Sequence, residues 1–194
     1  MGGFYLGKGL NNLDKGNIEE SIKDFETASV YNPRSDTIET EMFKISYKIF
    51  LFKSANPDPN DKSTQLLPLM YSRLLDFVGK NPYSYNARNF LAKVIWQMAK
   101  YEPDLFREEG ITSYIYLRNL MPNYIDIQEV LANVLIASGY MEEGRQEVDI
   151  AMLMGKNAGF LTPQSYWLKG EIEKFEGNNK EAILLFNESI DQSM

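Results

Sequence analysis

Two stretches at opposite ends of the 194-residue chain carry one pattern without a gap. Tyr5, Lys8, Gly9, Gly16, Asn17, Glu20, Ile22 and Phe25 recur as Tyr166, Lys169, Gly170, Gly177, Asn178, Glu181, Ile183 and Phe186, each 161 residues further on. Eight identities in a single frame, at helical spacings, are the signature of an internal repeat. This constrains the fold more than any other feature. One repeat unit cannot bury its apolar face alone, so the chain must stack its units and form a continuous core between neighbours.

The units are helical. Apolar residues recur at three- and four-residue spacing and no alternating β-branched run competes with them. Leu91, Val94, Ile95, Met98 and Tyr101 make one stripe, and Leu131, Val134, Leu135 and Ser138 make another. Pro33, Pro82 and Pro122 each follow an apolar run, as proline does just beyond a helix end. The middle of the chain therefore predicts helices at about 36–53, 64–80, 84–101 and 103–120. The segment SANPDPNDKS, Ser54–Ser63, reads as an exposed loop. Gly2 and Gly3 are expected to precede the first helix without a capping side chain, and no polar terminal helix follows the last repeat. Both ends thus read as cut from something longer.

The pattern resembles the tetratricopeptide repeat, a helix–turn–helix unit of about 34 residues. A unit opening at Gly2 places Tyr5, Gly9, Gly16, Ser21, Phe25, Ala28 and Pro33 at the family's aromatic, small, turn and proline positions. One opening at Pro163 places Tyr166, Gly170, Gly177, Ala182, Phe186 and Ser189 there, and one at Ile125 places Ala132, Gly139, Gly144, Val148 and Ala151. The small residues let two helices approach closely, the aromatic fills the gap between them, and the glycine takes the turn. The resemblance implies an all-α, right-handed α-solenoid occupying 1–194 as a single domain. About five repeats are expected, at roughly 2–35, 36–84, 85–124, 125–158 and 163–194.

Composition removes most chemistries. The net charge of −7 argues against a general nucleic-acid binder, which needs lysine and arginine to neutralise phosphates. With no Cys and no His, disulfides, thiolate sites, histidine metal sites and a Ser-His-Asp arrangement are excluded. The glycines belong to the repeat and form no phosphate-binding loop, so no cofactor is expected. Asn56, Asp58, Asn60 and Asp61 lack the glycine and terminal glutamate of a calcium loop. Glu19-Glu20, Glu108-Glu109 and Glu142-Glu143 open helices, where negative charge suits the dipole and faces water. No run approaches the length of a membrane-spanning helix. The chain reads as no enzyme.

Recognition is the better expectation. In the family that this chain resembles, the first helix of each repeat lines a concave groove. Transferred residue by residue, the lining would be Leu6, Leu10 and Leu13, then Thr40, Lys44, Tyr47 and Lys48, then Asn89, Lys93, Trp96 and Gln97. Further along it would be Glu129, Asn133 and Ile136, then Trp167, Glu171, Lys174 and Phe175. Trp96 stands off the Leu91–Ile95–Met98 stripe, on the side of Asn89 and Lys93. The carboxylate clamp of chaperone-binding members is absent, because Leu6 and Leu10 occupy its positions. The resemblance thus implies a scaffold or adaptor that binds a protein or peptide. As an alternative, the NPYSYNARNFLA joint at Asn81–Ala92 also resembles soluble tails of membrane enzymes that polymerise or ligate bacterial surface polysaccharide. Self-association through an end face is a further alternative. The compartment stays open between the cytoplasm and the soluble part of a membrane-anchored protein.

Overall fold

In the pair of helices that opens the chain, α1 (Gly2–Asp14) and α2 (Ile18–Tyr31), Gly9 determines how close the two axes come. A Cβ placed on Gly9 would sit 2.8 Å from the Phe25 ring, inside van der Waals contact. Phe25 is fully buried, which contributes about 1.5–3 kcal/mol of hydrophobic stabilisation. Ser21 Oγ donates to the Gly9 carbonyl oxygen at 2.8 Å, so the same close approach is also hydrogen-bonded. The structure, a computed structural model, describes residues 1–15, 17–32, 40–45, 47 and 66–193. The remaining helices are α3 (Leu66–Lys80), α4 (Tyr85–Tyr101), α5 (Pro103–Leu120), α6 (Ile125–Ala137), α7 (Met141–Ala158), α8 (Pro163–Phe175) and α9 (Asn179–Asp191), with residues 40–45 helical as well. No strand occurs among the described residues. The architecture is all-α, as expected.

Local signals explain the helix boundaries. α5 covers 103–120, the residues the periodicity predicts, with Pro103 in its first turn beside Asp104 and Arg118 in its last turn. α8 begins where Thr162 caps it, its hydroxyl accepting from the Ser165 amide at 3.2 Å. Gly139 and Gly177 turn each chain reversal at φ 91° and φ 85°, in the left-handed region that glycine enters freely. α1 begins at Gly2, so the two N-terminal glycines lie inside the helix rather than ahead of it. Glu142 and Glu143 stand exposed in the first turn of α7, where the dipole favours them. Pro33, Gly16, Lys48, the side chain of Leu13 and the Ser54–Ser63 loop lie outside the described residues.

The chain forms two compact units, Met1–Met98 and Ala99–Met194. In the first, Phe25, Ala28, Met42 and Ile45 form a buried cluster with Tyr5 and Leu6 packed against it. In the second, α6 lies against α5, α7 and α8, and α9 pairs with α8. Ala132, Val148, Leu168 and Ile172 form its buried cluster, joining α6, α7 and α8. Leu91, Val94 and Ile95 are buried, but Tyr101 at the end of that stripe is 60% exposed. Among the described residues, no helix is long and apolar enough to cross a membrane.

The last pair repeats the contact of the first. A Cβ on Gly170 would lie 2.7 Å from the Phe186 ring. Gly170→Leu and Gly9→Leu are each expected to overpack and to cost about 1–3 kcal/mol, measured as a lowered midpoint in thermal unfolding followed by circular dichroism. An unchanged midpoint would show that the phenylalanine ring has room to move.

Candidate functional site

Asn89, Lys93, Trp96 and Gln97 fall at intervals of four, three and one along α4, so they share one side of that helix. Each is half-buried, whereas Leu91, Val94 and Ile95 on the opposite side are buried. Gln97 Nε2 donates to Tyr47 Oη at 3.1 Å, which brings Tyr47 onto the same side of α4. Burial pushes the Tyr47 phenol up, partly opposed by the Gln97 hydrogen bond. The Lys93 ammonium lies 5.4 Å from the centroid of the Phe90 ring. Burial pushes the Lys93 amine down, since the low-dielectric surroundings disfavour its charge. The result is a small amphipathic surface: an indole, a cation on an aromatic ring, and two amide side chains.

Lys44 is exposed but its ammonium is 2.7 Å from Glu41 Oε1, so its charge is largely met by its own helix. Leu6 is half-buried and packs against the Phe25 cluster. Leu10 remains partly exposed.

The second unit holds the other candidates, and one of them is corrected outright. Glu129, expected to line an open groove, is 5% exposed. Its carboxylate accepts from Ser165 Oγ at 2.5 Å and from the Thr162 hydroxyl. The group therefore ties α6 to the start of α8, and burial holds its pKa up against the stabilising Ser165 hydrogen bond. Asn133 is half-buried one turn further along α6. On α8, Trp167 is 41% exposed and Lys174 lies 3.6 Å from Glu171, a surface pair of little energetic weight. Phe175 at the end of the same helix is largely exposed. Ile136 is half-buried against the cluster of Ala132 and Val148.

Sequence reasoning missed a set of ion pairs that join neighbouring helix pairs. Arg118 of α5 reaches Glu147 of α7 at 2.5 Å, and burial pushes the Glu147 carboxyl up despite that guanidinium. Arg145 of α7 reaches Glu173 at 3.0 Å and Glu176 at 2.6 Å. A hydrogen bond from Asn178, then that from Arg145, pulls the Glu173 carboxyl down. The partners lie 29 and 28 residues apart, so nearly the same arginine-to-glutamate spacing occurs twice and was visible in the sequence. Among the described residues, no group of acidic side chains is placed to hold a metal ion.

No protein-family model matches the sequence, and no curated protein does. Solved structures do. The chain is similar to a thermophilic TPR protein of Thermus thermophilus, at 13% identity, with 99% of this chain and 91% of that chain covered and a TM-score of 0.67. A MamA protein gives 16% identity, coverage of 98% and 91%, and a TM-score of 0.71. The MamA 41-end protein from Desulfovibrio magneticus RS-1 gives 10% identity, coverage of 99% and 94%, and a TM-score of 0.73.

Glu129 generates a prediction with a definite sign. Its folded pKa is raised, so the folded state holds its proton more tightly and stability falls as pH rises through the folded pKa. Glu129→Gln keeps an acceptor for both hydroxyls and removes the charge. It is expected to flatten the loss of stability seen by urea unfolding as pH rises above the ordinary carboxylate range. Glu129→Leu is expected to cost about 1–3 kcal/mol at all pH values, because it leaves the buried Ser165 hydroxyl without its acceptor.

Proposed function

Taking the tetratricopeptide-repeat fold of this chain as premise, we propose that it is a non-catalytic scaffold or adaptor that binds an extended peptide along the exposed side of α4. Trp96 is the apolar anchor, and Lys93 is the cation that receives a carboxylate of the ligand. Tyr47 and Gln97 supply hydrogen-bonding groups beside them. Lys44, once it leaves Glu41, and Lys48, next to Tyr47 in the sequence, add positive charge. Asn89 extends the polar margin by two turns.

The observation that supports this reading most is the state of Trp96. A large aromatic side chain that a helix leaves half-covered, next to a cation, has the character of binding anchors. The chain is acidic overall, at −7, so a cationic spot on it selects ligands by charge as well as by shape. In the second unit, Trp167 and Lys174 are open to a partner while Glu129 is committed to Thr162 and Ser165. The recognition surface of that unit therefore rests on α8.

The experiment is a peptide-display selection on the full chain, followed by titration of the enriched sequences by fluorescence anisotropy. Enriched peptides are expected to place Asp or Glu within a few residues of an aromatic or branched apolar side chain. Trp96→Ala should weaken their binding by more than about 1 kcal/mol with helix content unchanged. Raising salt from about 0.1 M to about 1 M should weaken it further, because exposed charges are screened over shorter distances. Binding indifferent to Trp96→Ala would remove α4 from the site.

A further inference from the structure

The end-to-end frame that carries Tyr5 onto Tyr166 also carries Tyr31, the last residue of α2, onto Gln192 just beyond α9. In the first pair the two tyrosine rings stack, with centroids 5.9 Å apart and planes within 6°. One face of Tyr5 is thus covered from within its own hairpin. In the last pair the first tyrosine is kept, and a glutamine replaces the ring that covers it. A hollow of about 370 Å³ is found there, lined by Lys156, Gly159, Phe160, Leu161, Tyr166 and Gln192.

The loop from α7 to α8 gives this hollow a fixed wall. The Phe160 amide donates to the Gly155 carbonyl oxygen at 2.9 Å. A Cβ on Gly155 would lie 2.5 Å from the Phe160 carbonyl oxygen, so a side chain there would push the loop off α7. Phe160 is nonetheless 56% exposed, and Tyr166 is half-buried. A firmly packed backbone therefore presents a ring that the fold leaves uncovered. Lys156, in the last turn of α7, is the charged residue among those that line the hollow. It is exposed and takes part in no ion pair among the described residues.

We propose that the hollow binds a small aromatic carboxylic acid, its ring stacked on Tyr166 as Tyr31 stacks on Tyr5 and its carboxylate received by Lys156. The Gln192 amide donates a second hydrogen bond to the carboxylate. Stacked rings gain more than the area they bury, and the ammonium selects the anion over an uncharged aromatic. The opening arises inside the hairpin, from glutamine at the place of the covering tyrosine, so a following unit is not what it lacks. The site shares no residue with the surface proposed on α4.

The probe is 2-naphthoate, titrated into the full chain by ligand-observed nuclear magnetic resonance. It is expected to bind at least about tenfold more tightly than 2-naphthylmethanol, which lacks the charge, or decahydro-2-naphthoate, which lacks the aromatic face. Gln192→Tyr, which restores the stacked pair of the first hairpin, should abolish binding. Lys156→Gln should weaken it at least about tenfold, with the helical circular dichroism signal unchanged. Trp96→Ala should leave it as it was, which separates this site from the aromatic and cation of α4. Absence of naphthoate binding overturns the proposal, and so does binding that survives Gln192→Tyr or Lys156→Gln. Equal binding of the alcohol overturns it as well, since the hollow would then suit an uncharged aromatic side chain of a partner, and equal binding of the saturated acid removes the stacking.

Discussion

A hairpin of two helices has two apolar sides and only one of them can face its own partner. Everything else in this chain follows from disposing of the other. Within the first and last pairs the helices meet through a glycine and a ring, Gly9 with Phe25 and Gly170 with Phe186. Between pairs the cover comes from the next first helix, as Leu168 and Ile172 of α8 cover Val148 of α7. Stability in such an array is a sum over units and their shared interfaces. Functional surface is then whatever neither kind of contact consumes, which is how Trp96 on α4 and Trp167 on α8 come to remain partly open.

Polar groups between pairs serve the same stacking. Glu129 joins α6 to the start of α8 through two hydroxyls, one of which also caps α8. That carboxylate sets where the next pair begins and how it is oriented on the last. Arg145 holds two carboxylates on the following pair, a geometry suited to the planar guanidinium and not to a lysine. Lys8 and Lys169 are equivalent in the repeat frame yet find different partners. Lys8 pairs with Asp24 inside its own hairpin, while the place of Asp24 is taken by Leu185, so Lys169 turns back to Asp149.

The internal geometry of the hairpins was legible in the sequence because it depends on residues within one repeat. Gly9 and Gly170 as close-packing positions, Gly139 and Gly177 as turns, and α5 at 103–120 all follow from local pattern. The fate of the groove candidates was less legible. Glu129 looked open because its own helix leaves it so. The hydroxyls that bury it lie 33 and 36 residues on, in the next unit. The partial cover of Leu6 has a related cause, since the cluster it packs against includes Met42 and Ile45 beyond its own hairpin. Charge on Lys44 was countable, whereas its pairing with Glu41 depends on a rotamer.

The contact between Gly9 and Phe25 has an evolutionary consequence. Its counterpart in the α6–α7 hairpin is Ala132 with Val148, a residue larger than glycine with one smaller than phenylalanine. The gap is thus filled by a very small and a large residue in one hairpin and by two residues of intermediate size in the other. Neither site can drift alone, since a larger residue at the first forces a smaller one at the second. After a unit is duplicated, descendants can cross from the glycine–phenylalanine solution to the alanine–valine one only through an intermediate that is overfilled or hollow. Sequence identity between repeats would therefore decay in paired steps at these two sites, and singly at the solvent-facing ones.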